Sequence, residues 1–118
     1  MGLIGTGANQ VPVNQFLGNL AYKDSVSFLI KTTSTNYTVS KTNDNNSILL
    51  VSGTTTVTLP ESSNIPSTFR IVIKAVTGAT VTVARSGSDT IETVAGDKSM
   101  IANTGLMFFP VSGGWETI

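Results

Sequence analysis

The chain has no cysteine and no histidine. The first absence excludes disulfides and thiolate metal sites, and leaves the redox compartment unreadable. The second removes the usual general base and the commonest metal ligand together. Charge is also scarce: seven basic and seven acidic residues make up 12% of the chain and cancel. Neutralising phosphates requires an excess of Lys and Arg, so the balance argues against nucleic acid and anionic membrane surfaces. No apolar run approaches the roughly twenty residues that span a bilayer. Met1-Gly2-Leu3-Ile4-Gly5 lacks the basic region and long apolar stretch of a signal peptide. With so few charges, surface polarity falls to Thr, Ser and Asn, and weak self-repulsion tolerates close association of copies.

What the chain has is alternation. Thr80-Val81-Thr82-Val83 and Thr54 to Leu59 place Thr and Val on opposite faces, the period of a half-buried strand. In Phe69 to Val76, Ile71 and Ile73 fall on one face and Arg70, Val72 and Lys74 on the other. Thr77-Gly78 between two such arms predicts an antiparallel hairpin over Phe69–Arg85 as the centre of the domain. Further strands are expected at Ser27–Lys31, Tyr37–Ser40, Ser47–Val51, Thr90–Val94, Ser99–Ala102, Leu106–Val111 and Trp115–Ile118. Turn signals recur about every eight to twelve residues, as in an all-β sandwich or barrel.

Residues 1–24 differ in kind. Gly2, Gly5, Gly7 and Gly18 punctuate the segment, and Pro12 pushes Gln10–Val13 into extended geometry. Val13, Phe16, Leu17 and Leu20 have the spacing of a short helical turn that Gly18 interrupts. Such a segment cannot cover its apolar side alone. The expected division is therefore an extended linker or trimerisation segment over 1–24 and a β domain over 25–118.

Candidate chemistry is thin. A glycosidase needs two carboxylates facing each other across roughly 5 to 10 Å, and Asp89 and Glu92 are the nearest pair in sequence. The preferred reading is that Asp89 closes a turn and Glu92 decorates a solvent face. There is no phosphate-binding loop before a helix and no Gly-x-Ser-x-Gly elbow, so no catalytic residues, metal or cofactor are assigned. Trp115 could stack on a sugar ring, although a lone Trp after Gly113-Gly114 more often caps a small core. The most polar window, Lys41-Thr42-Asn43-Asp44-Asn45-Asn46, offers a cation, a carboxylate and three amides. Lys41, Asn43, Asp44, Asn45 and Asn46 are the ligand-binding candidates, set against an ordinary solvated turn.

Two stretches carry a resemblance. Gly5-Thr6-Gly7-Ala8-Asn9-Gln10-Val11-Pro12-Val13-Asn14, with Leu17-Gly18-Asn19-Leu20-Ala21-Tyr22-Lys23-Asp24, resembles a segment of bacteriophage tail fibre and tail spike proteins that joins shaft or anchor to the next module. Ile48 to Ile118 is similar to small all-β modules near the carboxyl ends of phage virion proteins. The matching features are Leu49 to Gly53, Val57 to Pro60, Phe69 to Lys74, Ser86 to Ile91 and Gly113-Gly114-Trp115. The resemblance implies a virion tail component made in the bacterial host cytoplasm, involved in receptor recognition and host attachment. It also implies a homotrimer contacting other tail proteins and a host-surface glycan or protein. The alternative is a purely structural trimerisation or connector module. The expected fold is a small antiparallel β-sandwich or barrel-like knob with an extended amino-terminal segment. Val11, Val13, Phe16, Leu17 and Leu20 are expected at the trimer interface, which would bury the side a lone chain leaves open.

Overall fold

The computed structural model describes residues 28–118. The segment 1–24, with its expected interface residues Val11, Val13, Phe16, Leu17 and Leu20, lies outside the described residues, as does the expected domain start at residue 25.

The described residues form ten strands and no α-helix; one 3-10 turn spans Ser62–Asn64. The strands are β1 (Leu29–Thr33), β2 (Tyr37–Thr38), β3 (Ser47–Val51), β4 (Thr54–Thr58), β5 (Ile71–Ala75), β6 (Thr80–Ala84), β7 (Thr90–Ile91), β8 (Lys98–Met100), β9 (Gly105–Val111) and β10 (Gly114–Thr117). One sheet has the order β1-β3-β5-β9-β10-β7, the other β2-β4-β6-β8. The chain alternates between them: β1, β3 and β5 stack in parallel in the first sheet, and β2, β4 and β6 in the second. Each pair of strands is one coil, and successive coils lie rung over rung, as in a β-solenoid. The antiparallel strands β8, β9 and β10 then close the stack.

The all-β expectation holds, and so do the faces. Ile71 and Ile73 are fully buried while Val72 and Lys74 are half-buried on the outer side. Val81 and Val83 are buried and Thr82 is turned outward. The core lies between the sheets, where Leu49, Val57, Phe69, Ile73, Val83 and Trp115 meet.

The pairing is corrected. Phe69–Arg85 is not a hairpin: β5 sits between β3 and β9, and β6 between β4 and β8, in the other sheet. The expected antiparallel arrangement is confined to the closing strands. Gly78 does take positive φ, at +80°, and the Ala79 N–H donates to the Val76 carbonyl at 3.0 Å. Positive φ at the second central residue alone is the type II pattern. The twist of that turn splays two strands instead of pairing them, and only the primed turns match hairpin twist. A β-branched Thr77 resists the positive φ that type I′ requires at the first position. The turn is therefore a corner, and Gly53, at φ +74°, turns the coil beneath it.

Thr90–Val94 is also not one strand. β7 ends at Ile91, and Glu92 and Thr93 follow at φ +54° and +65°. Ile91 and Val94 exchange N–H to carbonyl bonds of 3.0 Å across them, a two-residue I′-like turn. A β-branched residue at positive φ is strained. Glu92 is held there by Lys98 Nζ at 2.7 Å and by the Thr117 hydroxyl. Thr93→Gly is expected to raise stability by about 1 kcal/mol; a lower urea midpoint for the variant would contradict the strained turn.

Candidate functional site

The polar loop 41–46 joins β2 of the first coil to β3 of the second, carrying the chain from one sheet back to the other. Its backbone is tightly closed. Asp44 N–H donates to the Ser40 carbonyl at 3.0 Å, and the Thr42 and Asn43 N–H groups donate to Ser40 Oγ at 3.3 and 3.1 Å. Asn46 takes φ +59°, a conformation Asn tolerates, which lets its N–H reach the Arg70 carbonyl at 2.8 Å. Asn45 Oδ1 accepts the Arg70 N–H at 3.2 Å, so the loop is tied to the next coil as well.

Asp44 is the anchor of this loop, and this corrects its assignment as a ligand contact. Its exposure is 0%. Oδ1 accepts from Lys31 Nζ at 2.6 Å and from the Tyr37 hydroxyl at 2.8 Å, and Oδ2 accepts from the Ser40 N–H at 2.7 Å. Lys31 Nζ also donates to the Asn43 carbonyl at 2.7 Å, and Ser47 Oγ donates to the Asp44 carbonyl. Fully buried and already accepting from three donors, the carboxylate is closed to an incoming hydroxyl by its burial. Lys41, Asn43, Asn45 and Asn46 are exposed, and Lys41 Nζ reaches only the Asn64 carbonyl, at 3.5 Å. The side chains of Lys41 and Asn43 are thus the best placed to meet a ligand.

Burial pushes the Asp44 carboxyl upward. The hydrogen bonds from Lys31, the Ser40 N–H and Tyr37, with the Lys31 charge, outweigh that effect and hold it below its ordinary value. The same bond raises Lys31 against the opposing effect of its burial, and burial followed by Asp44 raises Tyr37. Unfolded Asp44 binds its proton more tightly than folded Asp44. Its contribution is therefore complete above about pH 5 and is lost as pH falls below about 4. Lys31 and Tyr37 contribute fully below about pH 10 and lose that contribution above it. Asp44→Asn is expected to lower stability at neutral pH by about 2 kcal/mol and to shrink both shoulders of the pH profile. The acid shoulder should persist in part, because hydrogen bonds from Lys98 and Thr117 hold the Glu92 carboxyl below its usual value. Urea unfolding across pH measures this, and an unaltered acid shoulder would remove Asp44 from that role.

The other carboxylates are engaged separately. Asp89 is buried and accepts from the Ser62 N–H at 2.7 Å and the Ser62 hydroxyl at 3.0 Å. Its N–H closes the expected turn onto the Ser86 carbonyl at 3.1 Å. Glu92 is paired with Lys98, and Asp97 accepts the Arg85 N–H at 3.1 Å. Among the described residues no group of three acidic side chains is placed to hold a metal ion. Trp115 is fully buried, edge-on to Phe69 with centroids 5.9 Å apart, and its indole N–H donates to the Pro60 carbonyl at 3.1 Å. It caps the core and presents no face to a sugar.

Two surfaces escaped the sequence reading. The outer side of the second sheet is a flat hydroxyl field, with Thr54 beside Thr80 and Thr56 beside Thr82, which in turn neighbours Ser99. The outer side of the first sheet is an apolar ridge of Ile30, Ile48, Val72 and Met107 in one register. Each was visible as the second half of an alternating pattern, but which strands lie side by side is a tertiary fact. An open concavity of about 360 Å³ also lies along β8, lined by Met100, Ile101 and Leu106 with Lys98 at its side. No protein-family model matches the chain, and no curated protein matches it either.

Proposed function

We propose that the chain is a bacteriophage virion component, a tail fibre or tail spike module that takes part in host-surface recognition and attachment. The observation that carries this reading is the parallel stack of coils, which supports the tail-fibre resemblance of Gly5–Asp24 and Ile48–Ile118. Among the described residues each coil pairs in parallel with the next, so the architecture lengthens by repetition and suits a rigid projecting part. Copies associate as a homotrimer through the apolar residues of the amino-terminal segment, Val11, Val13, Phe16, Leu17 and Leu20. Zero net charge and the Ile30–Met107 ridge favour such packing. Contact with a host glycan falls to the exposed Lys41 and Asn43 and to the Thr-bearing outer sheet, where amides and hydroxyls can exchange hydrogen bonds with sugar hydroxyls.

The internal bonding of loop 41–46 favours the second reading, a structural connector. Binding of the purified protein to host bacteria separates the two. Lys41→Ala with Asn43→Ala is expected to reduce cell binding at least about tenfold, or about 1.4 kcal/mol, with an unchanged melting curve. Full binding with the fold intact removes this loop, and no binding by the parent protein leaves the connector. Sedimentation equilibrium at micromolar concentration is expected to return three times the chain mass; a monomer mass would refute the trimer.

A further inference from the structure

The two sheets differ on their outer sides. Strands β4 and β6 read Thr-Thr-Thr-Val-Thr and Thr-Val-Thr-Val-Ala, apolar toward the core and hydroxylated outward. Strands β3 and β5 instead read Ser-Ile-Leu-Leu-Val and Ile-Val-Ile-Lys-Ala, and β9 carries Leu106-Met107-Phe108-Phe109. Near-continuous apolar runs belong to strands covered on both faces. The inner face meets the core. On the outer face Ile30 is 63% and Ile118 78% exposed, and Ile48, Val72 and Met107 between them are half-buried.

Register puts these side chains in one line, which Met107 and Ile118 complete by exchanging N–H to carbonyl bonds of 3.1 and 3.0 Å. The line crosses the strands, so it runs in the direction in which the coils stack. Mixed rows flank it, with Arg70, Phe109 and Glu116 on one side and Thr32, Leu50 and Lys74 on the other. The flanking cations are already held. Arg70 lies over the Phe109 ring at 5.2 Å and bonds the Ser67 and Phe69 carbonyls, and Lys74 Nζ donates to the Asn103 carbonyl at 3.2 Å. An apolar centre within a polar rim is the anatomy of an interface. Counting about 200 Å² for a fully open large apolar side chain, the face leaves on the order of 500 Å² of apolar surface open. A standard interface takes about 800 Å² from each partner, a little over half of it apolar, or about 450 Å². The face matches that need.

We propose that this face is where copies of the chain meet: three first sheets turn inward about an axis parallel to the coil stack, with the Ile30–Ile118 row nearest the axis. The inference rests on the homotrimer reading and gives that trimer a seam within the β domain. Rotation about such an axis keeps equal coils at equal height. Each side chain of the row then meets two copies of itself, and the ring closes. The second sheets face outward, which leaves their hydroxyls open to solvent and ligand.

Sedimentation equilibrium of the full-length protein and two variants tests the seam. Val72→Lys brings three ammonium groups together at the axis and is expected to raise the trimer dissociation constant at least about 100-fold. Thr82→Lys makes a comparable change on the outer side of the second sheet and should leave assembly intact. Cross-linking provides a readout that tolerates no loss of fold, because the protein has no other thiol. Facing sheets lie about 10 Å apart, beyond a direct disulfide. A short bis-maleimide is therefore expected to join Val72→Cys chains into covalent pairs and to leave Thr82→Cys chains single. A parent trimer that persists in Val72→Lys, or Val72→Cys chains that stay single within a trimer, would overturn this seam and leave the trimer standing. A monomer or dimer mass for the parent would refute the trimer reading itself, and the seam with it.

Discussion

Trp115→Ala is expected to cost about 4 kcal/mol and to lower the melting temperature by about 20 °C. Three losses combine at this site. The indole is fully buried, so its removal leaves a cavity under the closing strands. The Pro60 carbonyl loses the N–H donor that stands 3.1 Å away. The edge-on contact with Phe69, itself fully buried, also goes. Trp115→Phe should recover part of the packing and none of the hydrogen bond, and so fall between the two. Denaturant unfolding followed by circular dichroism measures the series. A loss under about 1 kcal/mol for the alanine variant would mean that Trp115 is not the cap of this core.

Gly114→Ala is expected to be nearly as damaging, at about 3 kcal/mol or more. Gly114 opens β10 and lies directly beside Thr90 of β7 in a parallel pair. A Cβ added there would stand 2.7 Å from the Thr90 backbone nitrogen and closer still to its carbonyl oxygen. Backbone on both sides cannot yield without parting β7 from β10. Its neighbour Gly113 provides the comparison. It sits at φ +85° with nothing within 4 Å of an added Cβ, so Gly113→Ala meets only the backbone preference, about 1–2 kcal/mol. Gly78, at φ +80° and equally open, belongs with Gly113. Equal urea midpoints for the Gly113 and Gly114 variants would show that β7 and β10 do not approach this closely.

Much of the candidate site was legible in part. The Lys41–Asn46 window is the turn its Asn and Asp content announces, because those side chains bond their local backbone wherever it reverses. The inward turn of Asp44 was not legible. Its three donors come from Lys31 on β1, Tyr37 on β2 and the Ser40 backbone, and only the folded coil brings them to one carboxylate. The burial of Trp115 was likewise suggested by its isolation after two glycines. Its partners Phe69 and Pro60 are far off in the chain, and sequence alone does not name them.

The sequence by itself determined where most of the strands lie, with Thr90–Val94 the exception, and which side of the alternating ones is buried. Alternation is local: Val81 and Val83 must point opposite to Thr80 and Thr82 whatever sheet they join. It also determined the corners, because Gly53 and Gly78 supply positive φ that few other residues accept. Tertiary structure decided which strand pairs with which. The same alternating segments satisfy an antiparallel hairpin and a parallel coil equally well in their side-chain pattern. The choice rests on the Thr77-Gly78 turn, whose twist splays β5 from β6, and on the row of Leu49, Ile73 and their neighbours that forms only when coil lies over coil.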